Sequence, residues 1–233
     1  VRPGYPVNPE NAEKQLPAAA KQFAAEGLSI PLVTTPGDFL DPKRADIQRV
    51  YAACGEAGVA NIKLGYWHWP KENGGYWAEV ERIRKQLDGF QALSEKYRVR
   101  TCIHNHSGTT MSLNSSSVMN LVKGFDPRYV GVFADTGHLS IVGEPIDMAL
   151  DIVKDYVAVM AFKDLIRTPG SRGGRVVRMG HGFVDWETTL RTLKAMSFKG
   201  PVSFHSEYSG EPVETVIDLA RIDVRFINGL LKK

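Results

Sequence analysis

Six short runs of apolar, β-branched-rich residues recur along the chain, at 28–33, 59–64, 99–103, 129–134, 157–162 and 201–204. Each is apolar nearly throughout, the pattern of strands buried on both faces of a parallel sheet. The longer stretches between them predict helices at about 9–26, 41–58, 76–97, 115–123, 145–154, 186–196 and 213–231. In the second of these, Asp41 and Pro42 form an opening signal and Gly58 a closing one. Between them Ile47, Val50, Tyr51 and Cys54 fall at i, i+3, i+4 and i+7, a core-facing stripe. In the first helix, Pro17 predicts a start at the proline itself.

Strict alternation of strands and helices leaves an open doubly wound sheet or a (β/α)8 barrel. Neither GxGxxG nor a P-loop occurs, which disfavours the doubly wound option and predicts no nucleotide cofactor. The barrel is favoured, with six strands evident. Composition adds limits: 43% apolar and 24% charged residues over 233 positions exclude disorder and supply one sizeable core. A net charge of +3 with scattered basic residues argues against a nucleic-acid partner. Cys54 and Cys102 form no disulfide framework and no CxxC pattern. No apolar run approaches the roughly 18–20 residues that span a membrane.

The unusual residues collect where strands end. Of His68, His104, His106, His138, His181 and His205, five lie at or just past the C-terminal end of a predicted strand. In a barrel that rim is where catalytic and ligand groups gather. His104 and His106 share one strand face, as metal ligands, a substrate-binding pair or a rim pair that fixes loops. Asp135 closes a buried strand, which is costly unless its charge meets a metal, a base or backbone donors; an N-cap or Asx-turn is the structural alternative. Lys163 can hold an anionic or hydroxyl-rich substrate, or pair with Asp164 or Asp135. His205 and Glu207 again share a face, and His104, Asp135, His205 and Glu207 together supply donors suited to Zn, Mn, Fe or Mg. The aromatics Tyr66, Trp67, Trp69, Tyr76 and Trp77 suit stacking on a sugar, core packing or an oligomer interface. The basic stretch from Gly170 to Arg175, with Arg178, reads as a solvated loop, or one that closes over an anionic substrate.

The ordered elements His104-Asn-His106, Asp135-Thr-Gly-His138, Phe162-Lys-Asp-Leu165 and Gly180-His-Gly-Phe-Val-Asp-Trp186, then Gly200 before the last strand, are distinctive together. Over essentially the whole chain they resemble the xylose isomerase-like TIM barrel superfamily of sugar phosphate isomerases and epimerases. That group includes tagatose-type 3-epimerases, inosose dehydratases and, more distantly, endonuclease IV. The resemblance implies a divalent metal held by Glu, Asp, His and Glu from successive strand ends, the glutamates also shuttling protons between sugar carbons. The aspartate is kept as Asp135. The first glutamate falls on His104, the histidine on Ala161, and the last glutamate on His205, with Glu207 one strand repeat further.

The reading expected is therefore a sugar or polyol isomerase, epimerase or related lyase, with proton transfer beside a carbonyl and possible help from a divalent metal. Catalysis is assigned to His104, His106, Lys163, His205 and Glu207, substrate binding to Trp67, His68, His138 and Arg178, and metal binding to His104, Asp135, His205 and Glu207. The departures at Ala161 and His104 motivate an alternative, a non-catalytic barrel that binds carbohydrate or a partner. An endonuclease IV-like enzyme is a third reading, opposed by the small net charge and the missing glutamates. The resemblance also implies a homodimer and one barrel domain over 1–233; a cytoplasmic location is expected, with an exported form as the alternative. The six strands correspond to the third to eighth of the family, so about 40–50 residues of the barrel, at ~30 per βα repeat, are expected to be missing before Val1.

Overall fold

The computed structural model describes residues 1–70, 74–170 and 174–232. By internal packing the chain divides into two compact units, Val1–His104 with Asn120–Val132, and Asn105–Met119 with Phe133–Lys233.

The first unit holds α1 (Ala12–Ala25), β1 (Leu32–Thr34), α2 (Ala45–Glu56), β2 (Asn61–Lys63), α3 (Tyr76–Tyr97) and β3 (Arg100–His104). Strands β1, β2 and β3 pair in parallel, with Val33 opposite Ile62 and Ile62 opposite Thr101. The predicted stripe of α2 is buried: Ile47, Val50, Tyr51 and Cys54 are all inaccessible. On α3, Val80, Ile83, Leu87 and Phe90 repeat the helical spacing and are likewise buried. The Tyr51 hydroxyl reaches Thr101 Oγ1 at 2.6 Å, which Ser94 Oγ meets at 2.7 Å, so this polar group within the core is satisfied.

Two helix starts differ from expectation. α1 begins at Ala12 and runs through Pro17, because Ala12 and Leu16, both buried, anchor the turn before the proline. α2 begins at Ala45 instead of Asp41. The Asp41 carboxylate accepts from Lys43 N–H and its carbonyl from Arg44 N–H, so this segment closes a turn of its own before the helix. Gly58 ends α2 as predicted: φ is +69°, its N–H donates to Gly55 O and Val59 N–H to Cys54 O, the two bonds of a Schellman closure.

Helix α4 (Ser115–Val122) passes from the second unit to the first at Asn120, and strand β4 (Val130–Asp135) enters the second unit at Phe133. That unit also contains α5 (Thr136–Val142), α6 (Ile146–Val153), β5 (Val157–Phe162), β6 (Asp164–Arg167), β7 (Gly174–Val177), α7 (Trp186–Ala195), β8 (Val202–Phe204) and α8 (Val213–Leu231). Here the strand order is β4-β5-β8, and β8 pairs in parallel with β5, Phe204 opposite Phe162. All six predicted strands are present. The stretch read as a solvated loop is partly different: Gly174–Val177 forms an antiparallel hairpin with Asp164–Arg167. Ser171, Arg172 and Gly173 lie outside the described residues. Among the described residues, no helix is long and apolar enough to cross a membrane.

Candidate active site

Strand β4 ends on Asp135 and α5 starts at the next residue, so one carboxylate serves both elements. Its Oδ1 accepts from the His138 backbone N–H at 2.9 Å and caps α5. Its Oδ2 stands 3.3 Å from Lys163 Nζ and 3.3 Å from His205 Nδ1. Both readings weighed for this aspartate, cap and charge partner, are thus realised by different oxygens. Asn105 clamps the strand end: its Oδ1 accepts from Asp135 N–H at 2.6 Å and its amide donates to the Asp135 carbonyl at 3.3 Å. Thr136 Oγ1 accepts from Lys163 N–H at 3.1 Å and donates to the Lys163 carbonyl at 2.9 Å, which ties the ends of β4 and β5 together. Gly137 completes the Asp-Thr-Gly-His element. A Cβ there would sit 2.9 Å from the Lys163 carbonyl oxygen, so only glycine lets α5 approach this closely.

The Lys163 side chain is 3% exposed. Besides Asp135, its Nζ reaches Glu207 Oε2 at 3.0 Å and His138 Nε2 at 2.9 Å. Burial works against the ammonium, but the attraction of Asp135 and Glu207 outweighs it and raises the pKa, so the group stays charged. His138 behaves oppositely. Burial, reinforced by Lys163 and the neighbouring imidazoles against the pull of Asp135, lowers its pKa to about 3. It is therefore neutral at physiological pH and accepts the lysine proton at Nε2. That fixes the tautomer: Nδ1 carries the hydrogen and donates to Ser107 Oγ at 2.9 Å. The His106 ring packs against the His138 ring, centroids 3.9 Å apart, and its Nδ1 faces the Ser107 carbonyl at 2.8 Å. His205 is 16% exposed and packs edge-on against Phe133; Glu207 is the outermost member, 60% exposed.

His106, Asp135, His138, Lys163, His205 and Glu207 are thus gathered in the second unit. His104 closes β3 as the last residue of the first unit, buried, its ring 6.0 Å from that of Tyr66. Trp67 is buried and its indole N–H donates to Gln86 Oε1 at 2.8 Å, the packing alternative for the aromatic cluster. His68 is exposed, near Tyr66, and Arg178 Nη2 lies 3.1 Å from His181 Nε2. Asp164, weighed as a partner for Lys163, faces elsewhere. It accepts from the backbone N–H groups of Leu165, Gly180, Gly182 and Val184 and from the Trp186 indole, and so organises the glycine-rich loop. Sequence reasoning missed Asn105, Ser107 and Thr136 because nothing in their spacing marks which polar rim residues bond inward. It also missed Lys63, buried with its Nζ 3.5 Å over the Tyr66 ring. A lysine inside the apolar run 59–64 was the available signal.

A model of the xylose isomerase-like TIM barrel family matches residues 4–228. The chain belongs to the xylose isomerase-like TIM barrel family. Its fold is the barrel expected from the strand pattern. Among solved structures, this xylose isomerase-like chain is similar to the IOLI protein described with a binding zinc atom, at TM-score 0.78 and 16% identity, over 97% of this chain and 86% of that one. It is also similar to 3-keto-D-glucoside 4-epimerase from E. coli, at TM-score 0.74 and 14% identity, over 95% and 87%. In sequence it is 24% identical over 162 residues to an inosose dehydratase of Lactiplantibacillus plantarum, covering 64% of this chain and 53% of that protein. A second inosose dehydratase, from Bacillus velezensis, is 25% identical over 166 residues, 66% of this chain and 55% of the relative. The chain spans about half the length of these two relatives.

Against the metal pattern of the xylose isomerase-like family, the second unit gives a mixed fit. Asp135 and His205 present a carboxylate oxygen and an imidazole nitrogen 3.3 Å apart, donors compatible with a divalent ion. Ala161, at the position of the family histidine, is buried and offers none.

Proposed function

We propose that this protein is a sugar- or polyol-modifying enzyme that moves a proton beside a carbonyl, as an isomerase, epimerase or dehydratase-type lyase. The observation that carries the reading is the buried Asp135 carboxylate set against His205 and Lys163 at equal 3.3 Å separations. The relatives described as epimerases and inosose dehydratases support the substrate class.

In this reading His205 is the base. Asp135 beside Nδ1 fixes the ring, which assigns Nε2 the role of removing a proton from the carbon next to the substrate carbonyl. The negative charge that develops on the carbonyl oxygen is met by the Lys163 ammonium, already positioned and desolvated. Return of the proton to the opposite face gives an epimer, and return to the neighbouring carbon an isomer. Departure of a β-hydroxyl that takes up a proton gives dehydration. Glu207, at the open side of the cluster, is the group that exchanges protons with solvent. A divalent ion, when bound, would polarise substrate oxygens, and Asp135, His205 and Glu207 of the second unit would hold it.

The departure at Ala161 favours a second reading, a carbohydrate-binding barrel without turnover. A screen of ketoses, 3-keto-sugars and inososes separates the two. Turnover that falls by about 100-fold or more in His205→Ala, the size of a lost general base, supports the enzyme. Binding without turnover in both proteins supports the second reading.

A further inference from the structure

We propose that Lys163 is a built-in cation that holds the Asp135–Glu207 carboxylate pair and competes with a divalent metal ion for it. The inference does not depend on which reaction the protein catalyses. It starts from where the ammonium sits: Nζ is 3.3 Å from Asp135 Oδ2 and 3.0 Å from Glu207 Oε2, on the two oxygens a metal would need.

Three features keep it there. The His138 imidazole accepts from Nζ at 2.9 Å, and His138 is in turn held by Ser107 at 2.9 Å, so the ammonium has a third fixed partner besides the carboxylates. The backbone of Lys163 is fixed twice by the Thr136 hydroxyl. The side chain is 3% exposed, so swinging out to water means breaking a packed environment, not a rotamer change at the surface.

A divalent ion ligated by Asp135 Oδ2 would stand within a few ångströms of this positive charge, where repulsion between unscreened charges is large. Metal entry therefore requires Lys163 to leave or the ion to bind weakly. The residue changes around the site agree in sign. A donor is replaced by Ala161, and an imidazole, His205, stands where the family has a carboxylate. Fewer negative charges leave less to hold a doubly charged ion, while one internal ammonium suffices for the carboxylates that remain.

The test is a Zn²⁺ and Mn²⁺ titration of the full chain by calorimetry against a competing chelator. Lys163→Met and Lys163→Gln, both neutral, are expected to bind the ion about tenfold tighter or more, and Lys163→Arg, which keeps the charge, to match the unaltered protein. Adding Asp135→Asn to Lys163→Met is expected to remove the gain. Equal or weaker binding by the neutral variants overturns the proposal, as does a gain that survives Asp135→Asn. If the neutral variants do not fold, the Lys163 ζ-nitrogen NMR signal of the unaltered protein decides instead. Displacement requires that signal to move as Zn²⁺ saturates the protein, and a static signal at saturation overturns the proposal.

Discussion

Lys163 Nζ lies 2.9 Å from Nε2 of His138, so a buried ammonium donates to an imidazole that is itself buried and uncharged. The pairing makes His138 a fixed acceptor, not a group that titrates near neutrality.

Acid should therefore destabilise the fold through His138. Its folded pKa, about 3, lies below the unfolded value near 6.5, so the unfolded chain takes up a proton that the folded chain refuses. The stability from this residue is present above pH 6.5 and is lost as pH falls toward 3. By pH 5 the loss is about 2 kcal/mol, at ~1.4 kcal/mol per pH unit. Urea unfolding at pH 7.5 and pH 5 should show that drop, and His138→Gln, which keeps an acceptor for Lys163 but cannot titrate, should show a smaller one by about this amount. An equal pH dependence in the two proteins would refute the assignment.

Asp164 should matter for folding more than its distance from the reacting groups suggests. Asn keeps the shape but loses the charge and turns one of the two accepting oxygens into a donor, so part of the set of bonds from Gly180, Gly182, Val184 and the Trp186 indole is lost outright. Asp164→Asn is expected to cost about 2–4 kcal/mol and Asp164→Ala more, given charge-assisted bonds of about 1.5–3 kcal/mol each and their non-additivity. Hydrogen exchange at 180–186 should quicken before the rest of the chain.

The thiols of Cys54 and Cys102 are buried, and burial pushes each pKa up to about 12. Neither forms an appreciable thiolate in the native state at neutral pH. An aromatic disulfide reagent should label them at the rate of unfolding, with little acceleration between pH 7 and pH 9. Rapid native-state labelling would contradict this burial.

Gly137→Ala tests how closely α5 must approach β5. The added methyl would sit 2.9 Å from the Lys163 carbonyl and 3.2 Å from its Cγ. Overpacking of this kind costs about 1–3 kcal/mol, and part of the strain falls on the Lys163 side chain. Lower stability together with any turnover reduced beyond the unfolded fraction is the expected pattern.

Much of this was legible in the sequence, for identifiable reasons. Strands buried on both faces must be apolar throughout, so β2 to β5 stood out as runs; β1 and β8 stood out by the same apolar composition although they are only partly buried. The β6–β7 hairpin did not, because Arg167, Gly174 and Arg175 are exposed and only Lys163 separates β5 from β6. Helix α5 was hidden because it starts on the residue after β4, and the N-cap alternative for Asp135 was the one sign of it. At the site, the alternation of strand residues brought Lys163 toward Asp135 and sent Asp164 to the loop amides. Spacing could separate those two faces but could not say which was which. The clamp from Asn105 needs three-dimensional proximity and has no one-dimensional signature.

The division of labour within the Asp135 carboxylate shapes how position 135 can change. One oxygen starts a helix and the other sets the charge of the cluster. Alanine removes both at once, so a dead Ala variant would not distinguish a broken chemistry from a frayed α5. Asparagine can keep the cap through its oxygen while its amide removes the charge and the acceptor facing Lys163 and His205, which makes it the informative substitution. The same coupling narrows the substitutions at position 135 that leave α5 capped.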